Sequence, residues 1–306
     1  MDWSVLLSAD VLGQMLFFAT PLLLAALGEV ITERSGVLNV AIEGLMALGA
    51  SVGFLAAYLA ASNGVGIGAA MAAGGLIGLL LAYGTISLQV SQLTLGLALH
   101  VLCVGLASLL YRLVVGLQFV PPQIQTFRGK GGDTLWQVLT GLPGPVYAVL
   151  LLAVVVHVII FHTPVGLRLR ACGENPRAAD LLGVNVFRIR YLATVVGSML
   201  IAAAGALLPM MLTATYSDRM IGGRGWIALM LVILGRWLPF RIVLGGWLFG
   251  YVEALQYRLG LQLVTVPPQF LLMLPYVFVI LVAIRAYGGA AGPQALMRPY
   301  DREARG

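Results

Sequence analysis

Asn39 and Glu43 stand four residues apart in the run SGVLNVAIEGLMALGA, residues 35–50, and on a helix they share one face. An ionisable side chain flanked by Val40, Ala41, Ile42, Leu45 and Met46 is costly against lipid, so Glu43 is expected to face the protein interior or a water-filled cavity. Gly36, Gly44 and Gly49 weaken that helix or admit another backbone closely. Two readings fit. One is a polar face lining a pathway at a broken helix; the other is a clamp between helices in which Glu43 pairs with an arginine. Glu29, Glu33 and Arg34 just upstream are either solvated interfacial charges or groups that brace or gate a break at residues 32–39. Gly222-Gly223-Arg224-Gly225-Trp226 leads into a short apolar run, the pattern of a half-span whose helix end points into the protein. Arg224 either meets a polar solute or snorkels outward. Glu253, Gln256 and Tyr257, spaced i, i+3, i+4, read as a polar seam between helices.

Catalytic chemistry finds no purchase. His100, His157 and His162 lack ligand spacing, and Cys103 and Cys172 are the only cysteines, one in an apolar span and one in an Arg-rich segment. Neither a disulfide framework nor a metal cluster is expected from them. There is no serine elbow, no HExxH and no GxxxxGK[ST], so no catalytic residue, no metal, no cofactor and no ATPase of its own is assigned to the chain. The net charge of +6 would point to nucleic acid in a soluble protein. Here the arginines fall in short connections between apolar runs, the positive-inside pattern, and no nucleic-acid partner is expected.

The elements that must position these residues are membrane helices. Of 306 residues, 60% are hydrophobic and 10% charged, and mean hydropathy is +0.97. Soluble domains carry about 25% charged residues, and apolar runs of roughly twenty residues recur here. The fold class is all-α: a polytopic integral membrane protein of about 8–10 transmembrane helices, broken or short spans included. Spans are read at residues 11–31, 37–60, 64–86, 90–116, 144–162, 191–213, 242–260 and 268–285, with 225–238 too short for a full crossing. The N-terminus is expected outside, with no cleavable signal peptide evident. Residues 117–143 form an outer loop containing Arg128 and Lys130, and 163–190 an inner one. Within the inner loop Asn175 suits a helix N-cap, Pro176 the first helical position and Gly183 the stop. That two-turn helix is too short to stand alone; Ala178, Ala179, Leu181 and Leu182 form its apolar side, which needs a surface to lie against.

Four stretches, ERSGVLNVAIEGLMALGA (33–50), GLRLRACGENPRAADLLGVN (166–185), GRGWIALMLVILGRWLP (223–239) and FLLMLPYVFVILV (270–282), resemble permease subunits of bacterial ABC importers. The branch is that of branched-chain amino-acid and sugar permeases, and within it the nucleoside type. The resemblance runs through nearly the whole chain in order. It implies one transmembrane permease domain over residues 1–306, with a cytoplasmic coupling loop at 164–190 and a cytoplasmic tail at 286–306. Residues 173–185 would dock on a cytoplasmic ATPase, through Gly173, Glu174, Asn175, Pro176, Arg177, Ala178, Ala179, Leu181 and Leu182. Asn39, Glu43 and Trp226 would border the substrate pathway. The implied partners are an ABC ATPase, a second permease that is a different chain, an extracytoplasmic solute-binding protein and the lipid of the bacterial inner membrane.

Those expectations amount to ATP-driven import of a nucleoside-like solute by alternating access, the ATP being hydrolysed on a separate subunit. Aromatic faces for such a solute would come from Phe17, Phe18, Tyr83 or Trp226. Sugars, purine bases and riboflavin fit the same pattern. An ion-coupled secondary transporter would use Glu43 and Glu253 as cation sites but leaves the short Asn175–Gly183 helix without a purpose.

Overall fold

The computed structural model describes residues 9–116, 121–129, 134–262, 268–286 and 292–301. Lys130, Gly131 and Gly132 of the outer loop and Arg302 and Arg305 of the tail lie outside these. The described residues form twelve α-helices and no strand. They are α1 (Ala9–Arg34), α2 (Ile42–Ala60), α3 (Asn63–Ala82), α4 (Gln92–Val115), α5 (Leu135–Thr140), α6 (Gly144–His162), α7 (Pro164–Glu174), α8 (Pro176–Leu181), α9 (Val186–Leu208), α10 (Arg224–Leu234), α11 (Pro239–Gln262) and α12 (Pro268–Ala286). α3 and α9 each end in a π-helical turn, Tyr83–Ser87 and Pro209–Thr213. Six helices, α1, α2, α3, α4, α6 and α9, are long and apolar enough to cross a membrane. α11 and α12, of 24 and 19 residues, have the length as well. α10, at 11 residues, is the half-span its length announced.

α1 is the axis of the molecule, packed against α9, α11, α10 and α6, and buried almost without break from Ala19 to Val30. Around it α2, α3 and α9 meet at glycines. No Cβ fits at Gly49 or Gly205, because the backbones of Ala202 and Met46 occupy its place, and one at Gly74 would stand 2.5 Å from the Ala202 Cβ. Close backbone approach through small residues drives helix association where lipid is as apolar as the helices themselves. Gly205→Val should therefore lower stability by about 3 kcal/mol, at the top of the overpacking range. A thermal melt in detergent reads this as a clear fall in melting temperature.

The Arg-rich segment is more ordered than a loop. Thr163 caps α7, its side chain accepting from Gly166 N at 3.2 Å with Pro164 at the first helical position. Asn175 does the same for α8, accepting from Ala178 N at 3.0 Å, and Asn185 for α9, accepting from Arg188 N at 2.9 Å. Helix thus begins again at once after each cap, and α9 starts five residues before the span read from hydropathy. The tail returns to this end, where Ala295 N donates to Gly173 O at 2.8 Å and Tyr300 packs on Cys172, Ala179 and Val186. Cys172 is buried under α8, which pushes its thiol up to about 11 against a smaller pull from Arg190. It is a packing residue and not a nucleophile.

Residues 32–39 are neither a surface loop nor a simple break. α1 continues to Arg34, so Glu29 and Glu33 are helical, and both are fully buried. The chain then doubles back inside the protein, and Asn39 N donates to Glu29 Oε1 at 3.0 Å. That returns Asn39, three residues before α2, to the Glu29 side chain, more than a helical turn back from the end of α1. Buried non-helical backbone must find partners, and this connector does. Leu38 N donates to Gln92 Oε1 at 2.8 Å, Ala41 N to Asn39 Oδ1 at 3.1 Å, and Arg190 Nε to Ser35 O at 3.1 Å.

Candidate substrate pathway and coupling surface

Glu43, in the first turn of α2, lies where α10 begins. Gly222 and Gly223 have φ of +59° and +82°, a left-handed turn suited to glycine, and it aims the first N–H groups of α10 at the Glu43 carboxylate. Gly223 N donates to Oε1 at 2.8 Å and Gly225 N to Oε2 at 2.7 Å. A carboxylate at a helix N-terminus meets both unsatisfied donors and the positive end of the helix dipole. Gly225 is required by contact, since a Cβ there would lie 2.6 Å from Glu43 Cα. Glu43 is thus a clamp between helices, though backbone N–H groups take the role sequence reasoning gave to an arginine.

The arginine of this turn goes elsewhere. Arg224 forms an ion pair with Glu253 of α11 and donates to the carbonyls of Met220 and Ile221 at 3.1 and 3.2 Å. It does not snorkel outward. The pair forms one wall of a cavity of about 570 Å³ between α1, the end of α9, the approach to α10 and α11. The size suits a small ligand. Gln14, Thr213, Ser217 and Gln256 add uncharged polar groups, and Phe17, Phe18 and Tyr257 aromatic ones. The rings of Phe18 and Tyr257 lie 6.2 Å apart.

A second hollow, of about 470 Å³, shares Phe17, Leu212 and Thr213 with the first and adds Thr126 and Arg128. Its cover is the strap 121–129, tied to the π turn of α9 by Ile124 N to Ala214 O at 2.9 Å and Phe127 N to Met210 O at 2.8 Å.

Of the residues singled out from the sequence, Asn39 is fully buried, its Nδ2 3.3 Å from Ser198 Oγ on α9. Trp226 lies on the other side of α10, partly exposed, its ring 5.8 Å from that of His100 on α4. Neither lines the large cavity, and Glu43 is joined to it only through Gly223 and Arg224. Glu253, Gln256 and Tyr257, the supposed seam, do line it, as do Phe17 and Phe18.

At the arginine-rich end, α8 turns Ala179 inward (2% exposed) and leaves Leu181 and Leu182 89% and 85% exposed. Gly173 lies against the Arg34 backbone, and Glu174 Oε2 accepts from Gln294 N at 3.3 Å. Ala178 and Arg177 are exposed beside the leucines.

Residues 11–283 match the family described as branched-chain amino acid transport system / permease component. A Haloferax volcanii protein described as a glucose ABC transporter permease, TsgC13, is 34% identical over 97% of this chain and 98% of its own. The guanosine ABC transporter permease protein NupQ of Bacillus subtilis is 31% identical over 95% and 96%. Among solved structures, the inward-facing conformation of an ABC transporter described as of metal-chelate type has a TM-score of 0.52 at 15% identity. That match covers 90% of this chain and 85% of the other, a likeness of fold. With an all-helical fold among the described residues and a match over almost the whole length, the chain belongs to the branched-chain amino acid transport system permease family, the membrane-spanning subunits of ABC transporters.

Proposed function

We propose that this permease imports a nucleoside-like solute across a bacterial inner membrane by alternating access, driven by ATP hydrolysed on a cytoplasmic ABC subunit docked at Gly173–Leu182. The supporting observation is the cavity beside the N-terminal end of α10. Its one arginine and one glutamate neutralise each other, so it offers hydrogen bonds and aromatic faces with no net charge. A nucleoside, uncharged and rich in hydroxyls with one flat ring, matches that chemistry. Asn39 and Glu43 then border the pathway indirectly, as the groups that hold the starts of α2 and α10, with Trp226 on the far side of α10 against His100. A second, different permease chain faces this one, and an extracytoplasmic binding protein delivers the solute. The glucose-type relative favours a sugar as the second reading.

Uptake of radiolabelled guanosine and glucose into vesicles holding the complex, with and without ATP, separates these. Nucleoside uptake should exceed sugar uptake at least tenfold and require ATP. Arg224→Ala should raise the KM about tenfold or more, the loss of a charge-assisted hydrogen bond of about 1.5–3 kcal/mol. Uptake driven by an ion gradient without ATP would sink the importer reading in favour of a secondary transporter.

A further inference from the structure

At its far end α10 is held by a second device that the pathway does not account for. Arg236 and Trp237 both have left-handed backbone, φ +53° and +56°, a conformation that two successive non-glycine residues seldom adopt. Glycine would suit either place, so something about the side chains keeps the turn as it is. Trp237 is buried, 4% exposed. Its indole Nε1 donates to Glu33 Oε2 on α1, and its carbonyl accepts from Arg34 Nε at 3.3 Å and Nη2 at 3.1 Å. Its ring leaves no room for a Cβ at Gly292 of the tail, which would stand 2.7 Å away. Val232 O accepts from Trp237 N at 3.0 Å, fastening the residue back onto α10.

The contact of Trp237 with Arg34 leads on towards α7. The Arg34 guanidinium lies over the Phe161 ring, 5.4 Å from its centroid, and Arg170 of α7 lies over the same ring at 5.2 Å. Gly173, the penultimate residue of α7, packs on the Arg34 backbone through its missing Cβ. The other end of α10 carries Gly223 and Arg224, clamped to Glu43 and Glu253. A continuous helix of 11 residues carries displacement along its axis without bending, since each turn is tied to the next.

We infer that Trp237 is a positioning residue for transport: through Glu33 and Arg34 it joins α10, and with it the Arg224–Glu253 wall of the cavity, to the α7–α8 corner. Movement of that corner shifts the end of α1 and Trp237 together, and the strained Arg236–Trp237 turn is the joint that yields. The inference rests on the ATP-driven reading above, and it assigns a role to contacts that neither touch solute nor face the ATPase.

The test uses the complete complex in vesicles and measures uptake and ATP hydrolysis on the same sample. Trp237→Phe removes the indole N–H together with the outer ring that lies against Gly292, so Glu33→Leu, which leaves that ring in place, is read beside it. Trp237→Phe should lower uptake about tenfold while hydrolysis stays within twofold, so that ATP consumed per solute moved rises about tenfold. Glu33→Leu removes the acceptor instead and should give the same ratio, also where Trp237→Phe does not assemble. The double variant should be no worse than either single one, as expected for partners in one contact. Glu33→Gln, whose amide oxygen still accepts the indole N–H, should restore tight coupling. Uptake and hydrolysis falling in parallel, or both unchanged, overturns the inference. A wild-type complex that hydrolyses ATP and moves no nucleoside or sugar overturns the importer reading itself, and is told apart by failing before any substitution is made.

Discussion

Glu43→Ala should reduce uptake about a hundredfold or more while the complex still assembles. The carboxylate accepts from Gly223 N and Gly225 N, and hydrogen bonds to a charged group contribute about 1.5–3 kcal/mol each. Alanine leaves two donors at the half-buried start of α10 without their acceptors. α10 then loses its register at the end that carries Arg224. Glu43→Gln is the sharper test. It is nearly isosteric, yet one of its two polar atoms becomes an NH2 group facing another N–H, so it should be closer to alanine than to wild type. Transport assays on both variants, with co-purification of the ATPase as the control for folding, decide this. Wild-type uptake by Glu43→Ala would mean that the clamp is dispensable.

The second large effect is expected at the opposite end of the mechanism. Leu181 and Leu182 project from α8 with most of their surface exposed, while Ala179 anchors the helix on Cys172, Val186 and Tyr300. On the proposed docking of an ATPase at α8, each leucine side chain buried there contributes about 1.5–3 kcal/mol, so replacing both by serine should weaken that docking at least a hundredfold. Because neither leucine supports the fold of the chain, thermal stability of the isolated permease should change by no more than about 0.5 kcal/mol. Pull-down of the ATPase, followed by uptake, gives the readout. Full docking by the double serine variant would remove α8 from the coupling surface.

What the sequence let one read, and what it hid, divides along locality. Asn175-Pro176 and the stop at Gly183 announced α8 because cap, first turn and stop are neighbours in the chain. Thr163-Pro164 carried the same signal for α7, but Arg168 and Arg170 drew the reading towards a loop. The buried positions Gly166, Leu169, Cys172 and Gly173 follow a helical spacing that would have exposed it. The half-span was legible from the length of one apolar run and its glycines. Glu29 and Glu33 were left between interfacial charges and braces of a break; the partner of Glu33, Trp237, is 204 residues away, while that of Glu29, Asn39 N, is ten residues on, across the turn that the sequence did not specify. The partner of Glu43 was hidden for another reason. A helix N-terminus carries positive potential without any residue type to advertise it. Glu253, Gln256 and Tyr257 were correctly set on one face, but the cavity they share with Arg224 depends on how α10 and α11 are packed, which no spacing within α11 encodes.

The glycine contacts among α1, α2, α3 and α9 also constrain how such a molecule can work. Where Gly28 faces Gly197, Gly49 faces Ala202 and Gly205 faces Met46, sliding one helix along another by a single residue would drive a side chain into backbone. Those four helices are keyed to one register, like teeth in a rack, and gliding between them is closed as a mode of motion. Any reorientation during a cycle must turn this block as a whole, together with the α7–α8 corner that rests on the Arg34 backbone, leaving α10 and α11 as the parts that change their angle to it.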